Sequence, residues 1–143
     1  MTDQSVLSFE IRRTSSAPPE RLFALLSDAP GWPTWFRGLK RVDWEPGANP
    51  PVRLMRIGPV TVREAVLSET APAHHAYSVC SVIPMRDHRA DVHLTARPDG
   101  GTDIVWTTTF HRAWPGSGRP VRAFLKAGVS RLASALIAHA ERT

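Results

Sequence analysis

Two polar residues stand where an alternating pattern calls for apolar ones. Between Val60 and Glu69 branched apolar residues alternate with polar ones, and Glu64 shares the parity of Val60, Val62 and Val66. Residues two apart in a strand point to the same face, so the Glu64 carboxylate is expected among greasy neighbours. There it either has a raised pKa and acts as a general acid or base, or it pairs with Arg53, Arg56 or another arginine. A bulge that shifts parity would turn it outward. His88 heads the apolar face made by Ala90, Val92 and Leu94, either as a proton carrier or as a rim residue bonded to backbone. Tyr77 shares a face with Val79, Ser81 and Ile83. Its hydroxyl, with those of Ser81 and Thr108, would orient a polar ligand end. Glu64, His88 and Tyr77 are therefore the catalytic candidates.

Other chemistries find no support. There is no Gly-x-Ser-x-Gly elbow, and Ser117 in Pro115-Gly116-Ser117-Gly118 reads as a loop residue. No P-loop or dinucleotide-binding glycine pattern occurs. Cys80 is the single cysteine, which excludes an internal disulfide and a multi-cysteine metal site and agrees with a reducing cytosol. His88 and His93 are five apart on one strand and point to opposite faces, as do the adjacent His74 and His75. His93 and His111 could share the outer face of neighbouring strands, but hairpin register sets His93 opposite Val105 or Thr107. No metal site and no cofactor are expected.

The elements that must position these residues are legible. Val6 to Arg13 reads as a first strand. Ser15-Ser16-Ala17-Pro18-Pro19-Glu20 is a helix-start signal with hydroxyl caps and early prolines, followed by a short helix with Leu22, Phe23, Leu25 and Leu26. Asp28-Ala29-Pro30 stops it and can cap a second short helix bearing Trp32, Trp35 and Phe36. Six strands follow: Leu39 to Trp44, Val52 to Ile57, Val60 to Glu69, Ala73 to Ile83, His88 to Arg97 and Thr102 to Arg112. Gly, Pro and Asp at the junctions favour antiparallel hairpins. A helix from about Arg119 to His139 closes the chain, with Val121, Leu125, Gly128, Leu132, Ala135 and Leu136 on one face.

The 143 residues suit one domain, and 42% hydrophobic with 22% charged content is ordinary for a globular one. The net charge of +5 comes almost wholly from scattered arginines, so solvated faces are expected rather than a nucleic-acid surface. No run is long and apolar enough to span a membrane. Met1-Thr2-Asp3-Gln4-Ser5 lacks the pattern of a signal peptide, and a cytoplasmic location is expected.

Strand, two short helices, six antiparallel strands and a long helix resemble the helix-grip fold. That fold is shared by the birch-pollen allergen family, the steroidogenic acute regulatory-related lipid-transfer domains and bacterial polyketide cyclase/dehydrase-like proteins. The likeness is carried by the segment from Ala17 to Asp28, by Trp32-Pro33-Thr34-Trp35, by Gly101-Thr102-Asp103-Ile104-Val105-Trp106 and by Pro115-Gly116-Ser117-Gly118. It implies an α+β fold in which a seven-stranded antiparallel sheet wraps a long C-terminal helix, as a single ligand-binding domain over residues 1–143. A small hydrophobic molecule, aromatic or lipid-like, is expected between sheet and helix. Its lining would come from Trp35, Val62, Val79, Ser81, Val92 and Trp106, and from Thr108, Phe110, Phe124, Leu125, Gly128 and Leu132. Access is expected near Gly58-Pro59 and Met85-Arg86-Asp87. The alternative is an aromatase/cyclase using Glu64, His88 and Tyr77, and a third reading is a protein-interaction module. A monomer or homodimer without a stable membrane anchor is expected.

Overall fold

The structure, a computed structural model, describes residues 5–142, so most of the Met1–Ser5 segment lies outside the described residues. Seven strands form one antiparallel sheet: β1 (Val6–Ser15), β2 (Arg41–Trp44), β3 (Val52–Ile57), β4 (Val60–Thr70), β5 (His74–Val79), β6 (Met85–Ala96) and β7 (Thr102–Arg112). Their order across the sheet is β1-β7-β6-β5-β4-β3-β2. Every neighbour in sequence from β2 onward is thus a neighbour in space, and β1 closes against β7. Helix α1 (Pro19–Ser27) and a 3₁₀ segment (Ala29–Thr34) follow β1, and α2 (Gly118–Arg142) closes the chain.

Local sequence explains the departures from expectation. The second short helix is a 3₁₀ turn because Pro30 and Pro33 remove amide donors that an α-helix would need. Asp28 makes no side-chain cap to it. Nor do Ser15 and Ser16 cap α1, whose first amides bond the Pro18 carbonyl instead. Ser15 ends β1, and its Oγ donates to Glu141 Oε2 at 2.9 Å, as does the Ser16 amide, which ties β1 to the end of α2. Strand β5 stops at Val79 rather than Ile83. Val82 lies beyond it at φ 66, a left-handed conformation that a β-branched residue adopts only when its surroundings hold it there.

Alternation places the core. Phe9 and Ile11 of β1, Ala90, Val92 and Leu94 of β6, and Ile104, Trp106 and Phe110 of β7 are buried on the inner face. Against them lie Val121, Leu125, Leu132, Ala133, Leu136 and Ala140 of α2 and Leu22, Phe23 and Leu26 of α1. At about 1.5 Å per residue the 25-residue α2 is about 37 Å long, enough to cross the whole sheet. A Cβ on its first residue, Gly118, would meet Leu7 Cδ1 at 2.5 Å, so the Leu7 side chain would have to shift. Two α2 positions depart from the expected inner face. Phe124 is 66% exposed, and a Cβ on Gly128 would meet open space. Both lie on the solvent side of α2, so Gly128 is explained neither by close packing nor by room for a ligand.

Candidate functional site

The tight turn at Gly58-Pro59 pairs Ile57 with Val60 and so sets Arg53 opposite Glu64. Both point inward, and both are buried. Arg53 Nε donates to Glu64 Oε1 at 2.8 Å. The Arg53 side chain is 1% exposed, so this ion pair is withdrawn from solvent. Its guanidinium carbon lies 4.6 Å from the Trp32 ring centroid and 4.9 Å from that of Tyr77, within cation–π range of both.

His75 extends the network. Arg53 Nη1 lies 3.2 Å from His75 Nε2, and an arginine only donates, so Nε2 is the acceptor. The imidazole proton then resides on Nδ1, 3.1 Å from Glu69 Oε2, which also accepts from Ser27 Oγ at 2.6 Å. A chain of polar groups therefore runs from the buried Arg53 to the edge of α1. Burial, and after it the Arg53 charge, lowers the His75 pKa to about 4. Near pH 7 this histidine is neutral.

Tyr77 and His88 continue the strip along β5 and β6. The Tyr77 hydroxyl accepts from Trp106 Nε1 at 3.2 Å, and burial, then the Glu64 carboxylate, pushes its pKa well above the usual phenol value. His88 lies within an irregularity in β6, where register shifts between Arg86 and Arg89 and Asp87 takes φ 52. Parity survives, and His88 lies on the buried side. Its Nδ1 accepts the Val79 amide at 2.9 Å, which leaves the proton of the neutral ring on Nε2. Burial lowers its pKa to about 4. Its ring centroid is 5.9 Å from that of Tyr77.

One cross-strand row runs through the middle of the inner face. Val66, Tyr77, Ala90, Thr108 and Phe9 are successive partners across β4, β5, β6, β7 and β1. Ala90 is the smallest of them and separates the Tyr77 and Thr108 hydroxyls. Thr108 Oγ1 is buried without a hydrogen-bond partner, the one such side-chain atom among the described residues. An unmet buried hydroxyl costs about 1–3 kcal/mol.

The remaining lining candidates divide. Val62, Val92, Trp106, Phe110, Leu125 and Leu132 belong to the buried cluster, with Val79 and Trp35 half-buried at its margin. Trp35 stacks on His139 with centroids 6.2 Å apart. Phe124 and Gly128 lie outside, as described. Ser81 sits past the end of β5, where its Oγ accepts the Arg63 amide at 2.9 Å rather than facing the interior. The two best-formed pockets among the described residues are surface grooves. One, of about 440 Å³, is lined by Val6, Leu7, Arg112 and the start of α2; the other, of about 300 Å³, lies over Arg41, Leu54 and Arg56. Neither includes a residue of the expected lining.

The sequence alone offers Arg53 only as one of several possible partners for Glu64, and names His75 only beside His74 as a possible metal ligand. A signal for the inward position of each is present. A two-residue turn at Gly58-Pro59 makes position numbers of paired residues add to a constant, which sets 53 against 64. His75 has the parity of Tyr77.

With this geometry in hand, known proteins can be compared. Residues 6–141 match the family described as polyketide cyclase / dehydrase and lipid transport. No curated protein matches the chain significantly in sequence. Among solved structures, Ara h 8.0201 superimposes with a TM-score of 0.81 at 18% identity, covering 96% of this chain and 99% of that one. Norcoclaurine synthase of Thalictrum flavum, as a point mutant with a transition state analogue, gives 0.79 at 10% identity over 98% and 97% of the two chains. The di-domain ARO/CYC protein BexL from the BE-7585A biosynthetic pathway gives 0.76 at 15% identity, with 98% of this chain covering 50% of that one. At such identities these likenesses speak to the fold, which is the helix-grip fold. The family match, running almost from end to end, shows that the chain belongs to the polyketide cyclase/dehydrase and lipid transport family.

Proposed function

We propose that this protein is a single ligand-binding domain that takes a small, mostly hydrophobic molecule, aromatic or lipid-like, between the inner face of the sheet and α2. The reading is carried by one observation: ionisable and hydroxyl groups converge inside an otherwise apolar interior. Arg53, Glu64, His75, Tyr77 and His88 form a strip across three neighbouring strands and β6. An apolar site with few convergent polar groups is the usual build of a small-molecule pocket. The unpartnered Thr108 hydroxyl and the small Ala90 supply a place for a polar ligand atom. Antiparallel register puts the Ile57–Val60 turn, the segment around Val82 and the start of α2 at one end of the sheet. Ile57, Val60 and Val82 are exposed there, which suits a greasy mouth. The ligand would displace the half-buried Val79, Ile83, Met85 and Val129 that now cover that end of the core. A free, exposed Cys80 agrees with work in a reducing cytoplasm.

Thermal melting with a panel of fatty acids, sterols and polyphenols tests this, because a ligand of the folded state raises the melting temperature by mass action. A saturable rise is expected for at least one class, lost in Ala90→Leu. No shift with any class contradicts the reading.

A second reading, aromatase/cyclase catalysis, is favoured by the state of His88. Near pH 7 it is neutral, with its Nε2 proton directed away from the Val79 amide, and it stands beside the Tyr77 ring. Held against a folded polyketone, the Tyr77 hydroxyl and the His88 Nε2–H would donate hydrogen bonds to a carbonyl oxygen and stabilise the charge that grows on it during aldol closure, with water taking and returning the protons. Glu64 would serve by holding Arg53 rather than by transferring protons. His88→Gln should then abolish turnover of a reactive polyketone while leaving its binding intact; equal turnover would remove this reading.

A further inference from the structure

On the opposite side of the sheet, away from this site, the register assembles a second group of side chains. His74 of β5 is the direct partner of His93 of β6, and Asp91 lies two residues before His93 on the same face. One strand thus supplies ligands at i and i+2, and the neighbouring strand supplies one across from them. The His74 and His93 rings stack with centroids 4.7 Å apart. His74 Nε2 lies 2.7 Å from Asp91 Oδ1. One ligand atom from each of the three lies within 4.8 Å of the others, and no other such group of three or more occurs among the described residues. His74 and Asp91 are half-buried and His93 is exposed, so the cluster is open to solvent from one side.

We propose that His74, Asp91 and His93 form a binding site for a divalent transition-metal ion of the zinc type. Two imidazoles and one carboxylate suit such an ion, and water would complete four-coordination on the open side. The site clips β5 to β6 from outside. Two features of the metal-free arrangement set how it loads. First, the short His74–Asp91 hydrogen bond places a proton on His74 Nε2; coordination through that atom moves the proton to Nδ1 or releases it. Second, Arg89 holds Asp91 with two bonds, Nε to Oδ2 at 3.0 Å and Nη2 to Oδ1 at 3.1 Å. This guanidinium takes one lone pair of each carboxylate oxygen and repels a cation. Arg89 is therefore a built-in competitor for Asp91. His93 faces neither His88 nor His111; its partner is His74, on the other neighbouring strand.

The test is a titration of untagged, metal-free protein with Co2+, read by the visible absorption of the tetrahedral ion, and with Zn2+ in competition. One equivalent is expected to bind. His93→Ala and Asp91→Asn, at exposed or half-exposed positions that the fold tolerates, are expected to weaken binding about tenfold or more, while Arg89→Ala tightens it. Absence of the absorption band in the wild type overturns the site. So does equal affinity in His93→Ala, or a sulfur charge-transfer band showing that Cys80 is the ligand.

Discussion

The inner face of the sheet has two unlike halves. Across β1, β7 and β6 it carries Phe9, Ile11, Ile104, Trp106, Phe110, Val92 and Leu94, an ordinary apolar core pressed on α2. Across β3, β4 and β5 it carries Arg53, hydrogen-bonded to Glu64 and His75, with its guanidinium against the rings of Trp32 and Tyr77. Burial is similar in the two halves, but its energetic meaning differs. In the apolar half each side chain stabilises by the area and volume that it fills. In the polar half each group removes a desolvation cost that another group creates, so no member is worth anything alone. A fold needs the first half. The second stabilises little over a greasy replacement, which supports the proposed ligand role.

The sharpest way to break this contrast is at Arg53. Arg53→Ala leaves the Glu64 carboxylate buried and uncompensated, and should cost about 3–5 kcal/mol in denaturant unfolding. Changing both partners, Arg53→Met with Glu64→Leu, should recover most of that loss. If the double variant is as unstable as the single one, the strip is a structural element like any other. In the apolar half, Leu94→Ala should cost about 2–4 kcal/mol through lost contacts and a cavity. No second polar-to-apolar change should rescue it.

Acid acts on two buried histidines, His75 in the polar half and His88 at the start of β6. His75 and His88 have folded-state pKa values of about 4, below the ordinary 6.5. Below pH 6.5 the unfolded chain binds protons that the folded one refuses, so both contributions are full above that pH and fade as pH falls toward 4. Each should remove about 2 kcal/mol or less by about pH 5. His88→Gln should flatten part of this slope in pH-dependent unfolding, and an unchanged slope would show that His88 is not held neutral. The smallest effect is expected outside both halves. Phe124→Ser should change stability by less than about 0.5 kcal/mol, since that ring is already in water; a large loss would return it to the core.

How far the sequence could be read follows the same division. Strands β3 and β7 and the inward parity of Glu64, Val92 and Trp106 are set by alternation, which needs no knowledge of neighbours. Phe124 and Gly128 were misplaced because a helix face 3–4 residues wide does not say where its edge falls. Packing on β1 and α1 fixes the rotation of α2. Ser81 was misplaced because a strand's end depends on a single backbone turn at Val82. The polar strip needed pairwise register: Arg53 looks like a surface arginine until Gly58-Pro59 sets it against Glu64. The outer His74–Asp91–His93 group needed register too, across a junction where β5 and β6 are joined by an irregular segment.

The central claim is that the polar strip receives the polar end of an apolar ligand. Its most direct test is an NMR titration of the labelled protein with the best ligand from the melting panel. The account predicts that the Trp106 indole N–H and the amides of Tyr77, Val79 and Ala90 shift together and saturably, while Val105 and His93 on the outer face do not. Shifts confined to the surface groove of Arg112 and Arg119, or to the outer face, would contradict it.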